Sequence, residues 1–195
     1  ATFIRTDPEV VGYGLGTTGF IASVLIGSYL LAMGVGALLY PRVARRLTPR
    51  ITLIAASCLL GVGYLLFLPM HHLYLQVLAN MVVVGVGAGA LLAALPAAAA
   101  TAAPQHRTGM VTGLTNSTKT LGGAIASAVF GIALTRGVTE GSGVAGSFAG
   151  YVTVWVLCGI AAFVGAVVLW LVPSLAFTDR GLAAESTDTA GVPLP

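Results

Sequence analysis

Charge is what this sequence has least of. Only 8% of its residues are Asp, Glu, Lys or Arg, where a soluble domain carries about a quarter. A water-soluble globular fold is excluded on that ground. The acids are scarcest within the apolar runs: Asp7, Glu9, Glu140, Asp179, Glu185 and Asp188 all fall in loops or ends. The carboxylate relays of proton-coupled carriers are therefore missing from this stretch of chain. Cysteine is limited to Cys58 and Cys158, both inside apolar runs, so neither a disulfide framework nor a metal site is expected. Apolar and polar residues do not alternate over short segments, which excludes a membrane barrel. There is no Walker A, G-x-S-x-G or H-E-x-x-H pattern, so an enzyme is not expected, nor a cofactor. The net charge of +3 comes mostly from one arginine cluster. It reads as a membrane-topology signal rather than a nucleic-acid surface.

What is present is apolar: 57% hydrophobic residues and a mean hydropathy of +0.97. The long apolar runs, separated by short polar loops, predict an all-α polytopic membrane protein with five spans. Residues 1–16 read as an extracytoplasmic loop, with Gly12, Gly14 and Gly16 as turn glycines. The spans are expected at 17–40, 51–68, 74–103, 108–135 and 148–172, and residues 173–195 as a polar, disordered tail. Pro41 and Arg42, Arg45, Arg46 and Arg50 should end the first span. The third is too long for a flat crossing, and Pro96 should kink it. Gly34 and Gly36 in the first span, and Gly85, Gly87 and Gly89 in the third, suit close helix packing or flexing. Arg and Lys bias puts the N-terminus outside and the C-terminus in the cytoplasm of a cell (inner) membrane. Tyr74, Phe148, Tyr151 and Trp155 should mark the outer boundary. The chain opens on Ala1 without a signal pattern, and a longer parent is expected.

The fourth run carries a costly feature. Lys119 lies about eleven residues into it, roughly 16 Å deep and near the middle of a ~30 Å apolar layer. A lysine there costs roughly 2.5–3.5 kcal/mol on insertion scales. Thr112, Asn116, Lys119, Gly123, Ser127 and Gly131 step by three or four residues, so they share a face. Leu114, Leu121, Ile125 and Val129 form another, apolar face. The polar stripe must meet protein or a water-filled cavity, because lipid cannot satisfy it. Helix packing explains the small residues well, but Lys119 points to substrate contact, gating or coupling. With no acid in any span, it pairs with a carboxylate from elsewhere, meets an anionic or polar substrate, or is uncharged. His71 and His72 read as exposed turn residues, and His106 as interfacial charge.

Three segments resemble a known family. Gly12-Tyr-Gly-Leu-Gly16 is similar to a G-Y-G-x-G stretch. The run from Gly36 to Arg50 resembles the second-half copy of the G-x-L-a-D-r-x-G-r loop motif, which often ends in G-P-R (here Thr48-Pro49-Arg50). Gly113-Leu-Thr-Asn-Ser-Thr-Lys119-Thr-Leu-Gly-Gly123 resembles a G-x-x-N-x-x-R-Q-x-G-G helix. Together they resemble the C-terminal five spans of a major facilitator superfamily transporter, of the fourteen-span drug–proton antiporter branch. The departures are specific. The loop motif's Asp falls at Arg45, the helix motif's Arg is Lys119, which loses the two-pronged guanidinium, and its Gln is Thr120.

The resemblance implies most of the C-terminal bundle of a major facilitator fold, working by alternating access around a midplane site. It implies a missing N-terminal half of the same transporter as partner. The expected function is transport of small molecules, as proton-coupled multidrug efflux when the chain is whole. Lys119, Asn116, Thr112, Thr120 and Ser127 are then the cavity or coupling residues. Gly34, Gly36, Gly85, Gly87, Gly89, Pro96, Gly122 and Gly123 serve packing or rocking, and Arg42, Arg45, Arg46 and Arg50 the cytoplasmic loop motif. The expected partners are a small-molecule substrate, protons and the bilayer, without nucleic acid. Two rivals remain: a uniporter or symporter of a polar or anionic metabolite, and a non-transporting truncated module.

Overall fold

The computed structural model describes residues 2–102, 107–136 and 146–172, apart from the side chains of residues 2, 10, 11, 101 and 102. All regular structure among them is helical. Two single-turn helices, α1 (Thr2–Arg5) and α2 (Pro8–Val11), precede five long ones: α3 (Gly19–Arg46), α4 (Pro49–Leu66), α5 (Tyr74–Ala102), α6 (Thr108–Thr135) and α7 (Phe148–Leu171). All five long helices are apolar and long enough to cross a membrane. The tail at 173–195, most of the Gly/Ser-rich loop before α7, and His106 lie outside the described residues.

The helix ends are set by local chemistry. Asp7 accepts a hydrogen bond from the Glu9 N–H at 3.0 Å, and Pro8 follows it at the first helical position, where no N–H is needed. Gly12 ends α2 in the left-handed conformation. Ser147 closes the turn before α7 from both sides. Its Oγ donates to the Arg136 carbonyl at 2.6 Å and accepts from the Gly150 N–H at 3.1 Å. α4 stops at Leu66 because the N–H groups of Phe67 and Leu68 bond three residues back, to Tyr64 and Leu65, and tighten the chain out of the α register.

Two expected boundaries differ from what is observed. Pro41 does not end α3, which continues to Arg46. Arg42, Arg45 and Arg46 therefore stand on a helix rather than in a loop. Proline removes one backbone hydrogen bond, but here it sits where the helix nears the arginines and leaves the apolar layer, so water can satisfy the freed carbonyl. Residues 1–16 are also more than a loop. Phe3 and Ile4 on α1 are 7% and 2% exposed, deep in a cluster with Leu25, Phe67, Val77, Tyr151 and Trp155.

α5 is the hub, packed against α3 on one side and α4 on the other, while α4 also holds α7. Glycines set these distances. A side chain at Gly89 would overlap the Met33 carbonyl, and one at Gly36 the Val86 carbonyl. Gly85 would put a Cβ 2.7 Å from the Tyr29 oxygen, and Gly87 one 3.0 Å from the Ala56 oxygen. Helices α3, α4 and α5 thus meet backbone to backbone. Asn80, 2% exposed, donates to the Met70 carbonyl at 2.9 Å and ties α5 to the turn before it. α6 is different: among the described residues Ala133 is buried on it, and it packs chiefly against α5 and α7.

Candidate functional site

The helices alternate in direction, so the two ends of the bundle have separate chemistry. One end gathers the last turn of α3, the starts of α4 and α6 and the last turn of α7. It carries Arg42, Arg45, Arg46, Arg50 and Arg107. Arg50 is the residue there with the most defined task. Its Nε donates to the Leu169 carbonyl at 3.4 Å and its terminal nitrogen to the Trp170 carbonyl. These carbonyls belong to the last turn of α7, where helix carbonyls lack intrahelical partners and the dipole is negative. One guanidinium thus staples the start of α4 to the end of α7. Arg42 reaches back to the Leu38 carbonyl at 3.5 Å, while Arg45 and Arg46 are exposed.

At the opposite end, residues 2–18 fold over the helices. The Gly12-Tyr-Gly-Leu-Gly16 segment makes this possible, since all three glycines have positive φ. A Cβ at Gly14 would overlap the Thr6 carbonyl. The Gly16 N–H bonds to Thr6 O at 2.9 Å, and the Thr17 hydroxyl to Ile4 O at 2.9 Å. Tyr13 donates its hydroxyl to the Gly146 carbonyl, and burial pushes its pKa up. Phe3 packs edge-on against Tyr151 and Trp155, each with ring centroids 5.2 Å away. Tyr151 and Trp155 are buried under this cap, not placed at a lipid boundary as the sequence suggests. Nor is His71 a freely exposed turn residue. Its Nδ1 lies 3.0 and 2.9 Å from the carbonyls of Phe67 and Leu68, which only accept, so that nitrogen carries the proton. Among the described residues no cluster suited to a metal ion occurs.

Between the two ends lies a groove of about 740 Å³ lined by α4, α5 and α6. α4 contributes Leu60, and α5 contributes Ala88, Leu91, Leu92, Leu95, Pro96 and Ala99. α6 contributes Leu114, Thr115, Thr118 and Lys119. The threonine hydroxyls are already engaged: Thr115 donates to the Val111 carbonyl at 2.8 Å and Thr118 to the Leu114 carbonyl at 2.9 Å. Lys119 has no acidic or hydrogen-bonding partner among the described residues. Among the described residues of the lining it is the one charged group, on a wall that is apolar apart from it and the two threonines.

Of the five expected cavity residues, the structure brings Lys119 alone to this groove. Thr112, Asn116, Thr120 and Ser127 are exposed on α6, turned away from it. The hydroxyls of Thr112 and Thr120 bond back to the carbonyls of Thr108 and Asn116, at 2.9 and 3.0 Å. Thr115 and Thr118 were not anticipated. Their signal is the i, i+3, i+4 spacing of Thr115, Thr118 and Lys119, which sets them beside the lysine. Pro96 lines the groove directly. Gly34, Gly122 and Gly123 face open space, with no neighbour within 4 Å.

The sequence profile of the Major Facilitator Superfamily matches residues 7–193. The fold is similar to that of the xylose transporter XylE from E. coli in its inward-open conformation. The TM-score is 0.68 at 18% identity, over 87% of this chain and 44% of that one. The likeness at this identity is one of fold, and the chain spans less than half the length of that transporter. No curated protein matches the sequence.

Proposed function

The chain belongs to the major facilitator superfamily, and from that premise we propose that it is the C-terminal part of a transporter that exports small, largely apolar molecules. The observation that carries this is the wall of the groove. Eight of its eleven residues (Leu60, Ala88, Leu91, Leu92, Leu95, Pro96, Ala99 and Leu114) are apolar. A polyhydroxylated substrate needs several free donors and acceptors, and each one left unpaired in an apolar site costs about 1–3 kcal/mol. Here the threonine protons are already committed to backbone carbonyls, so a sugar would be poorly served. Apolar, drug-sized molecules fit better. The helix motif around Lys119 supports the fourteen-span drug–proton antiporter branch.

In this reading the arginine-bearing end is cytoplasmic, the N-terminus lies outside, and the remaining half of the transporter completes the pathway. Proton coupling rests on carboxylates in that half, since the described spans carry no Asp or Glu. The test uses the full-length transporter in everted vesicles. Lys119→Ala lowers efflux at least about tenfold, a change of ~1.4 kcal/mol at the barrier, with membrane insertion intact. A protonophore abolishes efflux by the unaltered protein. Unchanged efflux by the Lys119→Ala protein overturns the assignment of the groove. Efflux that survives the protonophore overturns proton drive and favours a uniporter.

A further inference from the structure

We infer that the molecule accommodated in the α4–α5–α6 groove is an amphipathic organic anion, an apolar body bearing one carboxylate or comparable acid group that pairs with Lys119. The inference rests on the export reading above and adds the sign of the substrate's charge. Three observations carry it. The groove's volume, about 740 Å³, lies within the range of pockets that enclose drug-sized ligands, roughly 300–1,000 Å³. The side chains of α5 supply a continuous apolar wall from Ala88 to Ala99. The charged group on the lining is Lys119, which no described residue neutralises.

The electrostatics then decide between ligand classes. An organic cation in this groove would meet the like charge of Lys119 in a low-dielectric setting. A neutral apolar molecule would leave Lys119 as an uncompensated cation at mid-depth, which is costly in a membrane. An amphipathic anion does neither. Its acid group accepts from the ammonium group, while its body covers Leu91, Leu92 and Leu95. Thr115 and Thr118 lie on the same face of α6, and their hydroxyl oxygens can still accept from a second polar group on the ligand.

The experiment uses the full-length transporter in proteoliposomes and three congeners with the same naphthyl body. One ends in a carboxylate, one in a primary amine and one in an alcohol. Transport of the carboxylate is expected to exceed that of either other congener at least tenfold. Lys119→Gln should bring the carboxylate down toward the alcohol, and Lys119→Arg should keep the carboxylate preferred. Leu92→Trp, which fills the groove without touching its charge, should depress all three together. If the unaltered protein moves the amine or the alcohol as well as the carboxylate, the inference falls while the export reading stands. The inference also falls if Lys119→Gln keeps the full preference or Leu92→Trp leaves all three rates unchanged. If none of the three is transported, the export reading itself fails.

Discussion

Thr48 holds a backbone conformation that suits glycine, with φ 148° and ψ 151°, and it is the one non-glycine residue with positive φ among those described. It stands where the related loop motif has the glycine of G-P-R. Such a conformation costs roughly 1–3 kcal/mol for a residue with a side chain. In return, its Oγ1 accepts from the Ile51 N–H at 3.3 Å and caps α4. Replacing a capping side chain by glycine costs only a few tenths of a kcal/mol, so Thr48→Gly should be a net gain of about 1 kcal/mol. The melting temperature in detergent should rise by about 2–4 °C, and a fall would show that the cap outweighs the strain. Tyr13 supplies a second test at this scale. Burial raises its pKa above the ordinary value near 10, so the folded cap favours the protonated hydroxyl that Gly146 accepts. That stabilisation is complete below pH 10 and is lost as pH rises beyond it, because the detached segment ionises first. Cleavage within residues 2–18 by an alkali-tolerant protease should therefore accelerate above pH 10, and Tyr13→Phe should remove the pH-dependent part. Lys119 stood out in the sequence from its cost alone, and it lines the α4–α5–α6 groove. Thr115 and Thr118 did not stand out, because a threonine that bonds to its own helix is as acceptable facing lipid as facing a groove.

The long helices were the most legible elements, since twenty-odd apolar residues have few other fates. Their ends were less so. Hydropathy reports where the apolar layer stops, not where the hydrogen-bonded ladder stops, and α3 runs past Pro41 to Arg46. The cap made by α1 and α2 was invisible for a related reason: four-residue helices carry no periodicity, and what holds them is the three-glycine turn and the seating of Phe3 and Ile4. Arg50 shows how an element-level tie hides inside a topology signal. A cluster of arginines accounts for orientation without any one of them having a partner, yet Arg50 holds two carbonyls of α7. Arg50→Met should lower stability by about 1–3 kcal/mol. Hydrogen exchange should accelerate in the last turn of α7, with α3 unaffected. Arg50→Lys should recover only part of the loss, since an ammonium cannot reproduce the fork. Equal exchange in both variants and the unaltered chain would show that the contact carries no weight.

For the molecule as a whole, family membership was readable because two motifs combine glycines and charges at spacings that packing alone does not demand. The partner of α6 was not readable. Thr112, Asn116 and Ser127 form an exposed stripe along it. The proposed orientation makes a direct prediction. Single cysteines replacing Arg46 and Arg107, in a full-length protein with Cys58 and Cys158 removed, should react with a membrane-impermeant maleimide only from the cytoplasmic side. A cysteine replacing Glu9 should react only from outside. The reverse pattern would invert the topology. The chain also holds its two tryptophans at opposite ends. Trp155 is 8% exposed beneath Phe3, and Trp170 is 65% exposed beside the Arg50 staple. Their emission should separate into a blue-shifted component shielded from aqueous quenchers and a component open to its surroundings. The protein thus carries an optical gauge at each mouth, readable without attaching a dye.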